Sequence, residues 1–148
     1  MKIYLYRKRI KGESTDGVLI DQRGNRICDT AENTLTMLPE GQYRLELKKY
    51  KKGNYRAALA TPIDANGEKQ QGWRGSGFII HGNGVYGRGL GSNIIVGDYL
   101  VPGVVTHSAQ HFTRLIKRLE KAEKRKTEVE LDVKVLRCEG VKMFIDAT

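Results

Sequence analysis

The chain has 148 residues, enough to bury a core, and its 39% hydrophobic and 29% charged residues suit one globular domain over residues 1–148. With Lys+Arg 26 against Asp+Glu 17 it carries a formal charge of +9, which favours acidic partners. No stretch approaches the roughly 18 apolar residues of a membrane span, and the basic start has no apolar signal-peptide core. The expectation is therefore no membrane and a cytoplasmic location, unless phage lysis or a dedicated secretion machine carries the protein out.

In chain order, Lys2 to Ile10 reads as an opening strand, with Ile3 and Leu5 on one face and Tyr4 and Tyr6 on the other. Arg7-Lys-Arg9 is expected to run toward solvent, and Gly12-Glu-Ser-Thr-Asp-Gly17 to form a turn. Val18-Leu-Ile20 and Arg26-Ile-Cys28 are short strands about Gln22-Arg-Gly-Asn25, whose Gly-Asn supplies positive-φ positions for a tight hairpin. Asp29 to Asn33 is expected to leave that hairpin. Met37-Leu-Pro-Glu-Gly-Gln42 is a turn, and Tyr43 to Lys48 alternates as a strand, with Tyr55 to Ala60 as its partner across Lys51-Lys-Gly-Asn54. Thr61 to Arg74 is a polar loop anchored by Trp73.

Ten of the 17 glycines fall between Gly72 and Gly103, where the backbone must take shapes a Cβ would obstruct. Phe78-Ile79-Ile80 and Ile94-Ile95-Val96 flank this centre as buried strands. From Ser108 the period changes to 3.6. Phe112, Leu115, Ile116, Leu119 and Ala122 form an apolar stripe on an otherwise basic helix, capped by Ser108 or Thr106. Glu128 to Val135 alternates as a strand, and Val141 to Ile145 closes the chain as another. The pattern predicts a mainly β (α+β) fold. Its mostly antiparallel sheet is curled or barrel-like, because one helix can cover only one sheet face, and a single long amphipathic helix plugs an end or a side.

Candidate functional residues gather in the glycine-rich centre: His81, Gly82, Asn83, Arg88, Gly91, Ser92 and Asn93. Ser92 as nucleophile with His81 as base is the one catalytic pair the region offers, with unhindered backbone N–H groups as oxyanion donors. The competing reading makes His81 structural, its ring satisfying buried backbone groups. Gly82-Asn-Gly-Val-Tyr-Gly87 matches a phosphate-loop string, but no helix follows to supply the dipole. The centre has no acid until Asp98, so glycosidase chemistry lacks its carboxylate pair. Cys28 and Cys138 are read as buried free thiols. His81, His107 and His111 have no Cys/His ligand spacing and no acid in the adjoining sequence, so neither a metal nor a cofactor is expected. Two basic clusters stand apart in sequence: Lys48, Lys49, Lys51, Lys52 and Arg56, and a helical group that includes Lys117 and Lys121.

Ile27-Cys-Asp-Thr-Ala-Glu32, Leu38-Pro-Glu-Gly-Gln-Tyr-Arg44, Ile80-His-Gly-Asn83 and Gly91-Ser-Asn-Ile-Ile-Val-Gly97 follow one another in an order that resembles a family of bacterial and phage proteins of unknown function. That family carries an acidic segment, Pro-x-Gly-x-Tyr-x-Val, Ile-His-x-Gly-Asn and Gly-Cys-Ile-x-Val-Gly. Here Leu45 stands at the valine place, His81 abuts Gly82, and Ser92 replaces the cysteine. The layout is also distantly similar to the L,D-transpeptidase catalytic domain, with Ile80, His81 and Gly82 on its histidine strand and Gly91 before the nucleophile. Ser92 occupies the cysteine position, Leu90 stands for the second histidine, and the arginine that follows is missing. A thiol is partly ionised at neutral pH, whereas a serine needs full base assistance. The resemblance therefore implies a silent or weakly active relative that binds a cell-wall fragment or another small polar ligand at the His81–Ser92 edge. The alternatives are an interaction module whose basic faces take nucleic acid or an acidic protein, and a hydrolase or acyltransferase that uses His81 and Ser92.

Overall fold

The computed structural model describes residues 1–50, 55–70, 75–86 and 90–136. Arg88, Lys51, Lys52, Trp73, Cys138 and the Val141–Ile145 strand lie outside them.

Nine strands and one helix follow in the order β1(Lys2–Lys11), β2(Ser14–Asp21), β3(Arg26–Asn33), β4(Gly41–Tyr50), β5(Tyr55–Pro62), β6(Gly77–Ile80), β7(Ile94–Val101), β8(Val104–Thr106), α1(Ser108–Lys124) and β9(Val129–Val135). Eight strands close into a barrel in the order β3-β2-β1-β9-β4-β5-β6-β7, with β7 pairing back onto β3. Only β1–β9 and β6–β7 are parallel. The expected curled, mostly antiparallel sheet is thus a closed one, and closure removes the open edges that an eight-stranded sheet would otherwise expose.

The interior follows the period-two alternation. Ile3, Leu5, Leu19, Cys28, Leu45, Ile79, Ile94, Val96, Leu131 and Val133 point inward and are buried. Leu115, Ile116, Leu119 and Ala122 join the same core, so the helical stripe is the plug that the sequence predicts. Its polar contacts fix which end it closes. Arg118 reaches Asp21 at the end of β2, Glu120 pairs with Arg56 at the start of β5, and Glu123 with Lys49 near the end of β4. At the other end Leu38, in the β3–β4 connection, is buried as a smaller stopper.

Several local expectations are corrected. Arg7 does not run to solvent. Its guanidinium makes a two-pronged ion pair with Glu32 inside the barrel, Nε to Oε1 at 3.0 Å and Nη2 to Oε2 at 2.7 Å, and also donates to Leu38 O at 2.7 Å. That buried pair explains why Asp29 to Asn33 belongs to β3: Glu32 faces inward on the same strand face as Cys28 and Thr30, four and two residues before it. The turn at Gly12 is tighter than expected, and Ser14 to Gly17 is already strand. The helix starts at His107 in a left-handed conformation (φ 54°), without a side-chain cap. Ser108 Oγ instead donates to Val96 O and accepts from Gly82 N, tying helix start to sheet.

A second, smaller core lies on the outside of the barrel. Ala31, Ile95, Val85, Leu90 and Val105 are buried together, with Ile80 packed against them. Here the β6–β7 connection and the β7–β8 hairpin fold over the outer faces of β3 and β7. Close approach is what the glycines allow: a Cβ on Gly97 would sit 2.7 Å from Thr106 O, and one on Gly84 2.7 Å from Gly103 O.

Candidate functional site

The parallel pairing of β6 with β7 decides the fate of the His81–Ser92 pair. Ile79 is level with Ile94 and Ile80 with Ile95. His81 therefore falls level with Val96, and Ser92 with Gly77, four residues or about 13 Å apart along the strands. An antiparallel hairpin would have brought the two ends together; a parallel crossing sends them to opposite ends of the barrel. The spacing of eleven carries no signal of which pairing applies.

Each half then has its own local work. Ser92 Oγ donates to Ser76 O at 2.7 Å, and Asn93 Oδ1 accepts from Phe78 N at 2.9 Å, so the two residues lace the start of β7 to the start of β6. A Cβ on Gly77 would meet Ser92 O at 2.5 Å, so the strands enter the barrel in close backbone contact. Gly91 O accepts from Thr36 Oγ1, which ties the same corner to the stopper loop. At the far end, His81 is exposed and its ring lies 5.2 Å from that of Phe112. Gly82 N donates to Ser108 Oγ, and the Asn83 carbonyl accepts from Val105 N. The reading of His81 as satisfying buried backbone groups is corrected: among the described residues its ring takes part in no such bond, and the backbone next to it does that work.

A polar cluster that the sequence did not reveal sits where α1 meets the sheet. The β7–β8 hairpin pairs Asp98 with Thr106 and so brings the next residue, His107, beside the carboxylate. His107 Nδ1 is 3.0 Å from Asp98 Oδ2, and His111 Nε2 is 2.9 Å from Oδ1. Arg26 reaches the same carboxylate at 3.0 Å and Asp29 at 2.9 Å. Hydrogen bonding from Arg26, then from His107 and His111, holds the Asp98 carboxyl below its ordinary range. The four-residue spacing of His107 and His111 was the available signal, but their acid lies nine residues upstream and is delivered only by the hairpin. Among the described residues no group of three or more His, Cys, Asp or Glu is arranged to hold a metal ion. The cluster's evident work is to dock the helix N-terminus. Cys28 is buried, as expected, and burial pushes its thiol up to about 12.

The two basic clusters, separate in sequence, meet in space. Lys49 and Arg56 are cross-strand partners in β4–β5, and they pair with Glu123 and Glu120 of α1. These are the only acids on the helix, and both are taken up at the seam with the hairpin. Arg114, Lys117, Lys121 and Lys124 are left exposed, at i, i+3, i+7 and i+10 along about 15 Å of helix. The stripe runs opposite Leu115, Leu119 and Ala122. Beside it a cleft of about 220 Å³ opens between β4 and the end of α1, lined by Arg44, Glu46, Leu47, Glu123 and Glu128 among others.

No helix among the described residues is long and apolar enough to cross a membrane. Compared with protein-family models, with curated proteins and with solved structures, the chain finds no match.

Proposed function

We propose that this protein is a binding module that engages a polyanionic partner, a nucleic acid or a strongly acidic protein segment, through the solvent face of α1 and the adjoining β4–β5 hairpin. One observation carries the reading. The hairpin's Lys49 and Arg56 neutralise both acids of the helix, so the four cations of the exposed stripe face outward without an acid among them on the same element. Cations so arranged release counterions when they meet phosphates or carboxylates, and such binding is steep in salt.

We also propose membership of the bacterial and phage family, on the order of the four motifs alone, and residues of those segments have structural work here. Glu32 meets Arg7, Pro39 O accepts from the Tyr43 hydroxyl, and Ser92 laces two strands. On this reading those motifs hold the barrel together. A cell-wall fragment gripped between His81 and Ser92 would have to span the length of β6, so the geometry favours the basic face over that edge.

The test is the salt dependence of binding to heparin and to a short DNA duplex. Log affinity should fall steeply and linearly with log salt, and Lys117→Glu combined with Lys121→Glu should weaken binding at least tenfold. Affinity that is flat in salt, or indifferent to the double variant, would overturn the reading.

A further inference from the structure

The β7–β8 hairpin presents large apolar side chains to water on a rigid mount. Leu100 is 57% exposed, Val101 48% and Tyr99 39%, and Tyr86 on the neighbouring turn is 61% exposed. These residues adjoin. The Tyr86 hydroxyl donates to Pro102 O at 3.1 Å, and the Arg9 guanidinium stacks 5.6 Å from the Tyr99 ring centroid while donating to its hydroxyl at 2.9 Å. Both tyrosine hydroxyls are thus held by the protein itself. The hairpin is also pinned from below: Asp29 accepts from Tyr99 N at 2.8 Å, and the buried Asp16 accepts from Gly103 N at 3.1 Å.

We propose that this hairpin is a docking surface for an anionic lipid bilayer, contacted peripherally. Two arguments select that occupant. First, the Arg9 guanidinium borders the apolar tip at Tyr99, and the exposed Lys8 precedes it on β1. Apolar and aromatic side chains beside cations suit the headgroup boundary of an anionic membrane. Second, the four exposed side chains offer on the order of 400 Å², about half of what each partner contributes to a stable protein interface. That is too little for a second copy of the chain, yet enough for shallow insertion.

The experiment is co-sedimentation of the full chain with vesicles of phosphatidylcholine alone and with vesicles that also contain phosphatidylglycerol. The protein should partition onto the anionic vesicles only. Leu100→Ser with Val101→Ser, both at exposed positions, should reduce partitioning at least tenfold with an unchanged circular-dichroism spectrum, and Lys8→Glu should reduce it severalfold. Charge reversal at Lys117 and Lys121 should leave most of the binding, so the failure of this inference is distinguishable from that of the polyanion reading. Three outcomes would overturn it: no binding at low salt, loss only in the helix variant, or a dimer in light scattering that the Leu100 and Val101 substitutions dissociate.

Discussion

The barrel interior and the lobe on its outer wall are both buried, but by different means. The interior is filled by long aliphatic side chains from strands and helix around one buried ion pair. The lobe is thin: small residues and glycines bring backbone against backbone over Ala31 and Ile95, and carboxylates at Asp16 and Asp29 pin the hairpin above. Burial of apolar area dominates in the first region, whereas in the second, stability rests on a few directed hydrogen bonds and on close packing of the main chain. A mount of that second kind can hold exposed groups in place without a large core of its own.

The largest expected effect is at the barrel's ion pair. Burial pushes the Glu32 carboxyl up, and its bonds to Arg7 pull it back. Glu32→Gln would leave the guanidinium buried without a counter-charge and should cost about 3–5 kcal/mol. Urea unfolding measures it; a loss under 1 kcal/mol would mean that the pair is not the buried bridge described here. Next, Leu119→Ala in the plug should cost about 2–5 kcal/mol, while Val85→Ala in the lobe should cost about 1–2 kcal/mol. Hydrogen exchange in Val85→Ala should rise in the lobe before the barrel, since the two cores pack separately. Uniform loss of protection would merge the two regions into one cooperative unit.

The smallest effect concerns Asp16, whose Oδ2 has no hydrogen-bond partner among the described residues. Desolvation raises its pKa despite the bond from Gly103 N. A folded-state pKa above the unfolded one means that the native state favours the protonated form. Its contribution is fully present below about pH 4 and is lost as pH rises through the folded value. Asp16→Asn keeps an acceptor for Gly103 N and removes the charge. It should therefore raise the melting temperature by a few degrees at pH 7, with the gain vanishing near pH 3. A variant destabilised at pH 7 would show that Asp16 is held there by a cation.

Much of this protein was legible in its sequence. The alternation of Tyr43 to Lys48 and Glu128 to Val135, the 3.6-residue stripe from Phe112 to Ala122, and the need of one helix to be met by a curled sheet all follow from periodicity, which the chain carries locally. Tertiary structure decided the rest, because pairing direction and long-range charge partners leave no local trace. Parallel pairing of β6 and β7 sent His81 and Ser92 to opposite ends of the barrel. Closure turned Arg7 inward to Glu32, against the expectation that three consecutive basic residues face water. The hairpin delivered Asp98 to His107 and His111, and the plug brought the two basic segments onto one face. A charged side chain settles where its partner is, and a partner 25 or 72 residues away is chosen by the fold.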